Sequence, residues 1–123
     1  MPNPLDAYES ASMEAMSGRE LEAAVLTKAA NKLRECRDAW DGEDRKTRLA
    51  DALKFNQRLW TFFQAELTKE ENPLPIELKQ NILNLSLFID KRTFETLADP
   101  SPEKLTILIN INLNLAAGLR EKP

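Results

Sequence analysis

The side chains that most often carry chemistry are few in this chain. Its 123 residues include no histidine and a single cysteine, Cys36. Histidine is the commonest general base near neutral pH and the commonest metal ligand, and a lone cysteine forms neither an internal disulfide nor a thiolate metal site. The acidic pairs Glu20/Glu22 and Glu70/Glu71 sit in no pattern that would separate their pKa values, as catalytic carboxylates require. The glycines stand alone, so there is no phosphate-binding loop. We therefore expect no enzyme, no metal and no cofactor.

The overall composition indicates one globular domain. Hydrophobic residues make up 42% and charged residues 30% of the chain, which is typical of folded rather than disordered proteins. The net charge of −3 disfavours nucleic-acid binding, because nucleic-acid binders usually carry a basic surface. The N-terminus lacks the pattern of a signal peptide, and no apolar run has the length of a membrane span. We expect a cytoplasmic protein without membrane insertion.

Trp60 lies in the most aromatic part of the chain. At helical spacing it shares an apolar stripe with Phe63 and Asn56. We predict that Trp60 and Phe63 belong to the core; the alternative is that Trp60 anchors a partner, since aromatic side chains concentrate at binding hot spots. An adjoining strip makes the apolar surface wider than one neighbouring helix needs, and it consists of Phe55, Leu59 and Phe62.

Two asparagines interrupt apolar helical stripes. Asn56 lies within the stripe of Trp60, and Asn112 lies at the centre of an apolar face near the end of the chain. A buried amide needs a permanent hydrogen-bonding partner. We predict that both asparagines bond within the protein and fix the register of its helices, as a buried asparagine does in coiled coils. The alternative is that they hold the backbone of a partner.

Capping signals place the first helix. Residues 1–16 are expected to form a mobile arm that precedes a helical domain covering residues 17–123. Ser17 and Glu20 form a capping box, in which each side chain satisfies a backbone amide at the helix start. Apolar residues at helical spacing follow, among them Leu21 and Val25, and Asp41-Gly42 ends the helix.

Prolines and polar residues divide the rest of the chain into three more helices. The second spans about 44–67; the third has Pro75 in its first turn, and Ser101 caps the fourth. Residues 107–115 alternate in strand fashion, but no other segment offers a strand partner, and a lone strand cannot satisfy its backbone. The predicted fold class is therefore all-α, a single-domain helical bundle of about four main helices.

The third helix carries apolar residues on two nearly opposite faces. One face consists of Leu78, Ile82, Leu85 and Ile89. The other consists of Ile76, Leu83, Leu87 and Phe94. Either this helix lies between other helices of the domain, or one of its faces is left for a partner.

Short motifs are spread over most of the chain, from Ala7 to about Phe88. They comprise Ala7-Tyr8, the segment 17–22, Asn56, the segment 58–61, the segment 72–75, Leu78 and Ile82. Together they resemble the FlaF family of flagellar biosynthesis regulators. The resemblance contains no catalytic motif.

The resemblance implies a cytoplasmic flagellum-assembly factor that promotes the synthesis and export of flagellin. The mechanism that fits is chaperone-like binding, in which an amphipathic terminal helix of flagellin lies in an apolar groove. The alternative is a post-transcriptional regulator that acts on flagellin mRNA or through FlbT, the family's functional counterpart. We assign flagellin binding to residues of the second and third helices, namely Phe55, Arg58, Leu59, Phe62, Ile76, Leu83 and Leu87.

Overall fold

The structure, a computed structural model, describes residues 18–121. These residues form four helices with no strand: α1 (Gly18–Asp38), α2 (Arg45–Leu67), α3 (Ile76–Ala98) and α4 (Glu103–Arg120). The predicted all-α fold class is confirmed, including helix rather than strand at residues 107–115. The predicted arm and Ser17 of the capping box lie outside the described residues, while Glu20 lies in the first turn of α1.

The helices form a bundle in which successive helices run in opposite directions. α1 packs most extensively against α4 and less extensively against α2, while α3 packs mainly against α2. Hydrogen bonds at both ends show that α1 and α4 are antiparallel: Arg37 Nη1 donates to Thr106 Oγ1 at 3.4 Å, and Arg120 Nη2 donates to Thr27 Oγ1 at 3.2 Å. α2 and α4 therefore face each other across the diagonal of the bundle.

Small side chains let α1 and α4 approach each other closely. Four alanines on these two helices have no exposed surface: Ala23, Ala29, Ala30 and Ala116. Because the contact with α4 is the largest that α1 makes, the buried face of α1 is turned toward α4. Leu21 and Val25, which the predicted stripe included, are consequently only half-buried.

A chain of hydrogen bonds crosses the core along the α2–α4 diagonal. Trp60 Nε1 donates to Asn112 Oδ1 at 2.9 Å, and Asn112 Nδ2 donates to Asn56 Oδ1 at 2.7 Å. All three side chains have no exposed surface. The structure thus places Trp60 in the core and pairs the two asparagines with each other, rather than leaving them open to a partner.

The indole of Trp60 fixes the orientation of both amides. Its N–H is a donor only, so the oxygen of Asn112 must face it, and the amino group of Asn112 must then face the oxygen of Asn56. A shift of α2 against α4 would leave these buried groups unpaired, at about 1–3 kcal/mol for each. The hydrogen-bond chain therefore specifies the alignment of the two diagonal helices.

The connections between helices depart slightly from the predicted boundaries. Pro75 is the N-cap residue of α3 rather than part of its first turn, and its carbonyl accepts a hydrogen bond from the Lys79 amide at 3.0 Å. The N-cap position of α4 falls on Pro102 instead of Ser101, with no side-chain capping bond. Pro102 already has helical angles, φ −65° and ψ −31°, because its ring restricts φ to this region.

Replacement of Trp60 should remove much of the stability of the fold. Trp60→Ala is expected to lower the free energy of unfolding by about 3–5 kcal/mol, a large part of the roughly 5–15 kcal/mol of a typical domain. Trp40, half-buried with the guanidinium of Arg45 at 5.0 Å from its ring, is the matched control. Urea unfolding followed by circular dichroism measures both variants, and an equal loss for Trp40→Ala would contradict the central role of Trp60.

Substitution of the two core asparagines should have unequal effects. Asn112→Leu leaves both the Trp60 N–H and the Asn56 oxygen without a partner, at about 1–3 kcal/mol each. Asn56→Leu leaves only Asn112 Nδ2 unpaired, and it removes Asn56 Nδ2, which has no hydrogen-bonding partner among the described residues. Urea unfolding should therefore rank Asn112→Leu as the more destabilising change, with the exposed Asn110→Leu on the same helix near wild type. The reverse order would contradict the assigned amide orientations.

Candidate partner-binding site

An apolar groove opens between the N-terminal half of α1 and the C-terminal half of α2. Its volume is about 360 Å³, and it is lined by Gly18, Leu21, Glu22, Val25, Leu59, Phe62 and Phe63. Phe62 is 54% exposed and stands at the rim, whereas Leu59 is 9% exposed. The ring of Phe62 lies 6.2 Å from that of Phe63, centroid to centroid, so the rim is continuous with the core.

The packing of α1 explains why this groove is open. The buried face of α1 is turned toward α4, which leaves Leu21 and Val25 at the edge of the contact with α2. Gly18 at the start of α1 contributes no side chain, and a Cβ built there would meet nothing within 4 Å. Among residues 18–121, no side chain therefore fills the groove along its outer side or at its end.

The residues predicted to bind a partner do not share one groove. Leu59 and Phe62 line the groove between α1 and α2, and no residue of α3 lines it. Phe55 also faces α1, because Lys28 Nζ and Lys32 Nζ lie 5.6 and 5.2 Å from its ring centroid. The second wall of this groove is thus α1, whereas the prediction had placed α3 there.

The position of Gln64 explains the difference. Gln64 Nε2 donates to Ser86 Oγ of α3, so this side of α2 faces α3. Gln64 follows Phe55 by nine residues, which is about two and a half helical turns, and it therefore lies on the opposite side of α2. The sequence defines these two sides of α2 but not which neighbouring helix covers each of them.

The predicted residues on α3 form a separate, exposed surface. Ile76 and Leu87 are 79% and 66% exposed, and Leu83 is half-buried. Arg58, on α2, is also exposed. The side of α3 that packs on the bundle contains only two large apolar residues among its buried positions, which are Ile82, Ser86, Ile89, Thr93 and Thr96. A role of the exposed residues in binding stays a prediction.

Glu22, which belongs to an acidic pair and to the family-like segment 17–22, is a further candidate site residue. It lines the groove and also a cavity of about 30 Å³ at the end of the bundle, which Glu66 and Leu119 line as well. Burial raises the pKa of Glu22, the negative charge of Glu66 raises it further, and Arg19 lowers it. The position of Glu22 next to Leu21, in the apolar stripe of α1, is the signal by which the sequence could have revealed it.

Comparison with known families decides the family of this chain. Residues 4–119 match the family model described as flagellar protein FlaF. The chain belongs to the FlaF family. The resemblance of the sequence motifs is therefore confirmed, and FlaF membership gives the chain a flagellar role. Comparisons with curated proteins and with solved structures found no match. In the described part of this FlaF-family chain, no helix is long and apolar enough to cross a membrane.

Neutralisation of Glu22 should stabilise the fold at neutral pH. A glutamate whose pKa is raised by folding binds its proton more tightly in the folded than in the unfolded state, so its ionisation opposes folding. Glu22→Gln should therefore unfold at a higher temperature than wild type at pH 7. The difference should disappear as the pH falls below the unfolded value of about 4.3, where Glu22 is protonated in both states.

Thermal unfolding at a series of pH values measures this effect. Glu70→Gln, which removes the same charge at an exposed position in the connection between α2 and α3, is the matched control. A stabilisation by Glu22→Gln that stayed constant from pH 7 down to pH 4 would contradict a role of its charge.

Proposed function

We propose that this FlaF-family protein binds flagellin as a chaperone, through the groove between α1 and α2. The observation that carries the proposal is an apolar groove with the half-exposed Phe62 at its rim, in a chain of a flagellar family. Contiguous exposed apolar surface marks sites of protein interaction. Flagellin's terminal segments are amphipathic helices that polymerise through their apolar faces, and a groove of this kind receives the apolar face of such a helix.

Phe62 is the anchor of the proposed contact. Aromatic side chains dominate the energetics of many interfaces, and full burial of a phenylalanine is worth about 1.5–3 kcal/mol. About half of Phe62 is already covered in the free protein, since its exposed fraction is 54%. Closure of the groove over the remaining half contributes about 1 kcal/mol from this side chain alone. Leu59, already buried, forms the floor on which the client side chain rests.

Charge at the groove defines which client helix fits best. Among the described residues that line the groove, Glu22 alone is charged. A lysine or arginine next to the apolar face of the flagellin helix would pair with this carboxylate. Such a cation favours the ionised form and lowers the raised pKa of Glu22. The proposed client is therefore an amphipathic helix with a basic residue at the border of its apolar face.

The proposed activity follows from what the client exposes. Flagellin subunits assemble through the same apolar faces that would occupy the groove. A chaperone that covers one of these faces before export keeps the subunits apart in the cytoplasm, where they are synthesised. Binding therefore precedes export, and loss of the groove should leave flagellin unprotected.

Phe62→Glu tests the proposal. A carboxylate at the rim removes the anchor and must lose water when the client binds. We expect the dissociation constant for purified monomeric flagellin, measured by calorimetry, to rise at least about tenfold, which corresponds to about 1.4 kcal/mol. The melting temperature should stay near wild type, because Phe62 is exposed. Cells with this variant should lose motility and contain less flagellin.

Leu97→Glu is the matched control, since Leu97 is 53% exposed, like Phe62, but lies on α3, outside the groove. It should bind flagellin as wild type does. Normal flagellin binding by a folded Phe62→Glu protein would exclude the groove. Failure of the wild-type protein to bind any flagellin, with salt-sensitive retention on flagellin mRNA, would replace the chaperone function with post-transcriptional regulation.

A further inference from the structure

α3 carries a second apolar surface, separate from the groove. Ile76, Leu87 and Phe94 are 79%, 66% and 74% exposed, and Leu83 between them is half-buried. Successive members are separated by seven, four and seven residues, so that the four lie in one strip along about five helical turns. We call these four residues the α3 strip. A helix on the surface of a bundle normally exposes polar residues to solvent, whereas the α3 strip exposes apolar ones.

The order of apolar and polar residues along this strip is the same in both directions. Polar residues lie at two positions between the apolar ones, and the full series is Ile76, Gln80, Leu83, Leu87, Asp90 and Phe94, at intervals of four, three, four, three and four residues. A symmetric series of this kind is complementary to a second copy of itself that runs in the opposite direction.

Antiparallel pairing about a two-fold axis would match the two copies residue by residue. Ile76 of one copy would meet Phe94 of the other, and Leu83 would meet Leu87. The polar positions would also coincide, with Gln80 donating to Asp90. Every apolar residue of the strip then has an apolar neighbour, and no apolar residue is set against a charge.

Charges beside the strip favour the same arrangement. Glu77, Asn84 and Lys91 are exposed and lie along one side of it, seven residues apart. In the antiparallel pairing Glu77 of each copy faces Lys91 of the other, and Asn84 faces Asn84. In a parallel two-fold pairing this side of one copy would lie across the interface from the same side of the other, so the Glu77–Lys91 pairs would not form.

We propose that the α3 strip joins two copies of this protein into an antiparallel, two-fold symmetric dimer. The two α3 helices form the interface, and the groove between α1 and α2 stays outside it. The proposal does not depend on flagellin binding, because it rests on the exposure, the spacing and the flanking charges of α3 alone.

Charge exchange across the interface tests the proposal with the full chain. Glu77→Lys sets two lysine side chains against each other in both symmetry-related contacts, and Lys91→Glu places two glutamates together. Sedimentation equilibrium should show a wild-type dimer and an about tenfold weaker self-association for each variant, because both contacts change from attraction to repulsion. An equimolar mixture should recover wild-type association, because a mixed dimer pairs only opposite charges.

Recovery in the mixture separates a broken interface from a damaged fold. Glu70→Lys, an exposed change in the α2–α3 connection, is the matched control and should associate as wild type does. Leu87→Glu should be monomeric, with the wild-type melting temperature, because Leu87 is exposed. A wild-type protein that is monomeric at all accessible concentrations overturns the proposal, as does failure of the mixture to recover association. If the wild-type protein is monomeric and Leu87→Glu no longer binds flagellin, the strip is assigned to flagellin instead.

Discussion

The hydrogen bond from the Trp60 indole to Asn112 is the constraint on which the arrangement of the bundle depends. A fully buried indole N–H must donate, and its direction determines how Asn112 and then Asn56 are oriented. Apolar contacts alone tolerate small sliding of one helix past another, because they have no direction. The hydrogen bonds among Trp60, Asn112 and Asn56 do not tolerate such sliding, because they are directional. They therefore align α2 and α4 across the diagonal, and the other helices pack around this pair.

The tight contact of α1 with α4 is the second constraint, and it produces the groove. Alanines bring these two helices together, and α1 consequently offers only the edge of its apolar face to α2. The result is a buried core beside the open groove that Phe62 borders. α3 contributes few large apolar side chains to the core, since small hydroxyl side chains form much of its buried side. The two exposed apolar surfaces thus have different causes. The groove arises because the buried face of α1 is turned toward α4, and the surface on α3 arises because the largest apolar residues of that helix point outward.

The sequence predicts the helices well because their signals are local. Pro75, Gly42 and the spacing of apolar residues are read within a few positions, and the helix boundaries fall within a few residues of the expected ones. The relation between neighbours is not local. Helical periodicity shows that Phe62 and Leu83 lie off the main stripes of their helices, but it does not show that α2 places its side with Phe62 toward α1. The environment of Glu22 likewise depends on Glu66, which is distant in sequence and belongs to another helix.

The pairing of the first helix with the last has a consequence for the order in which the protein forms. Contacts between segments far apart in sequence require closure of a long loop, which is slow compared with the formation of local helical hairpins. The α1–α4 contact, the largest in the bundle, closes such a loop, and Asn112 on α4 supplies the partner of Trp60. During synthesis α1, α2 and α3 therefore leave the ribosome while the alanines of α1 are still uncovered and the Trp60 N–H has no partner. The core is completed only when α4 emerges, so that assembly of this fold is a late and cooperative event rather than a stepwise one.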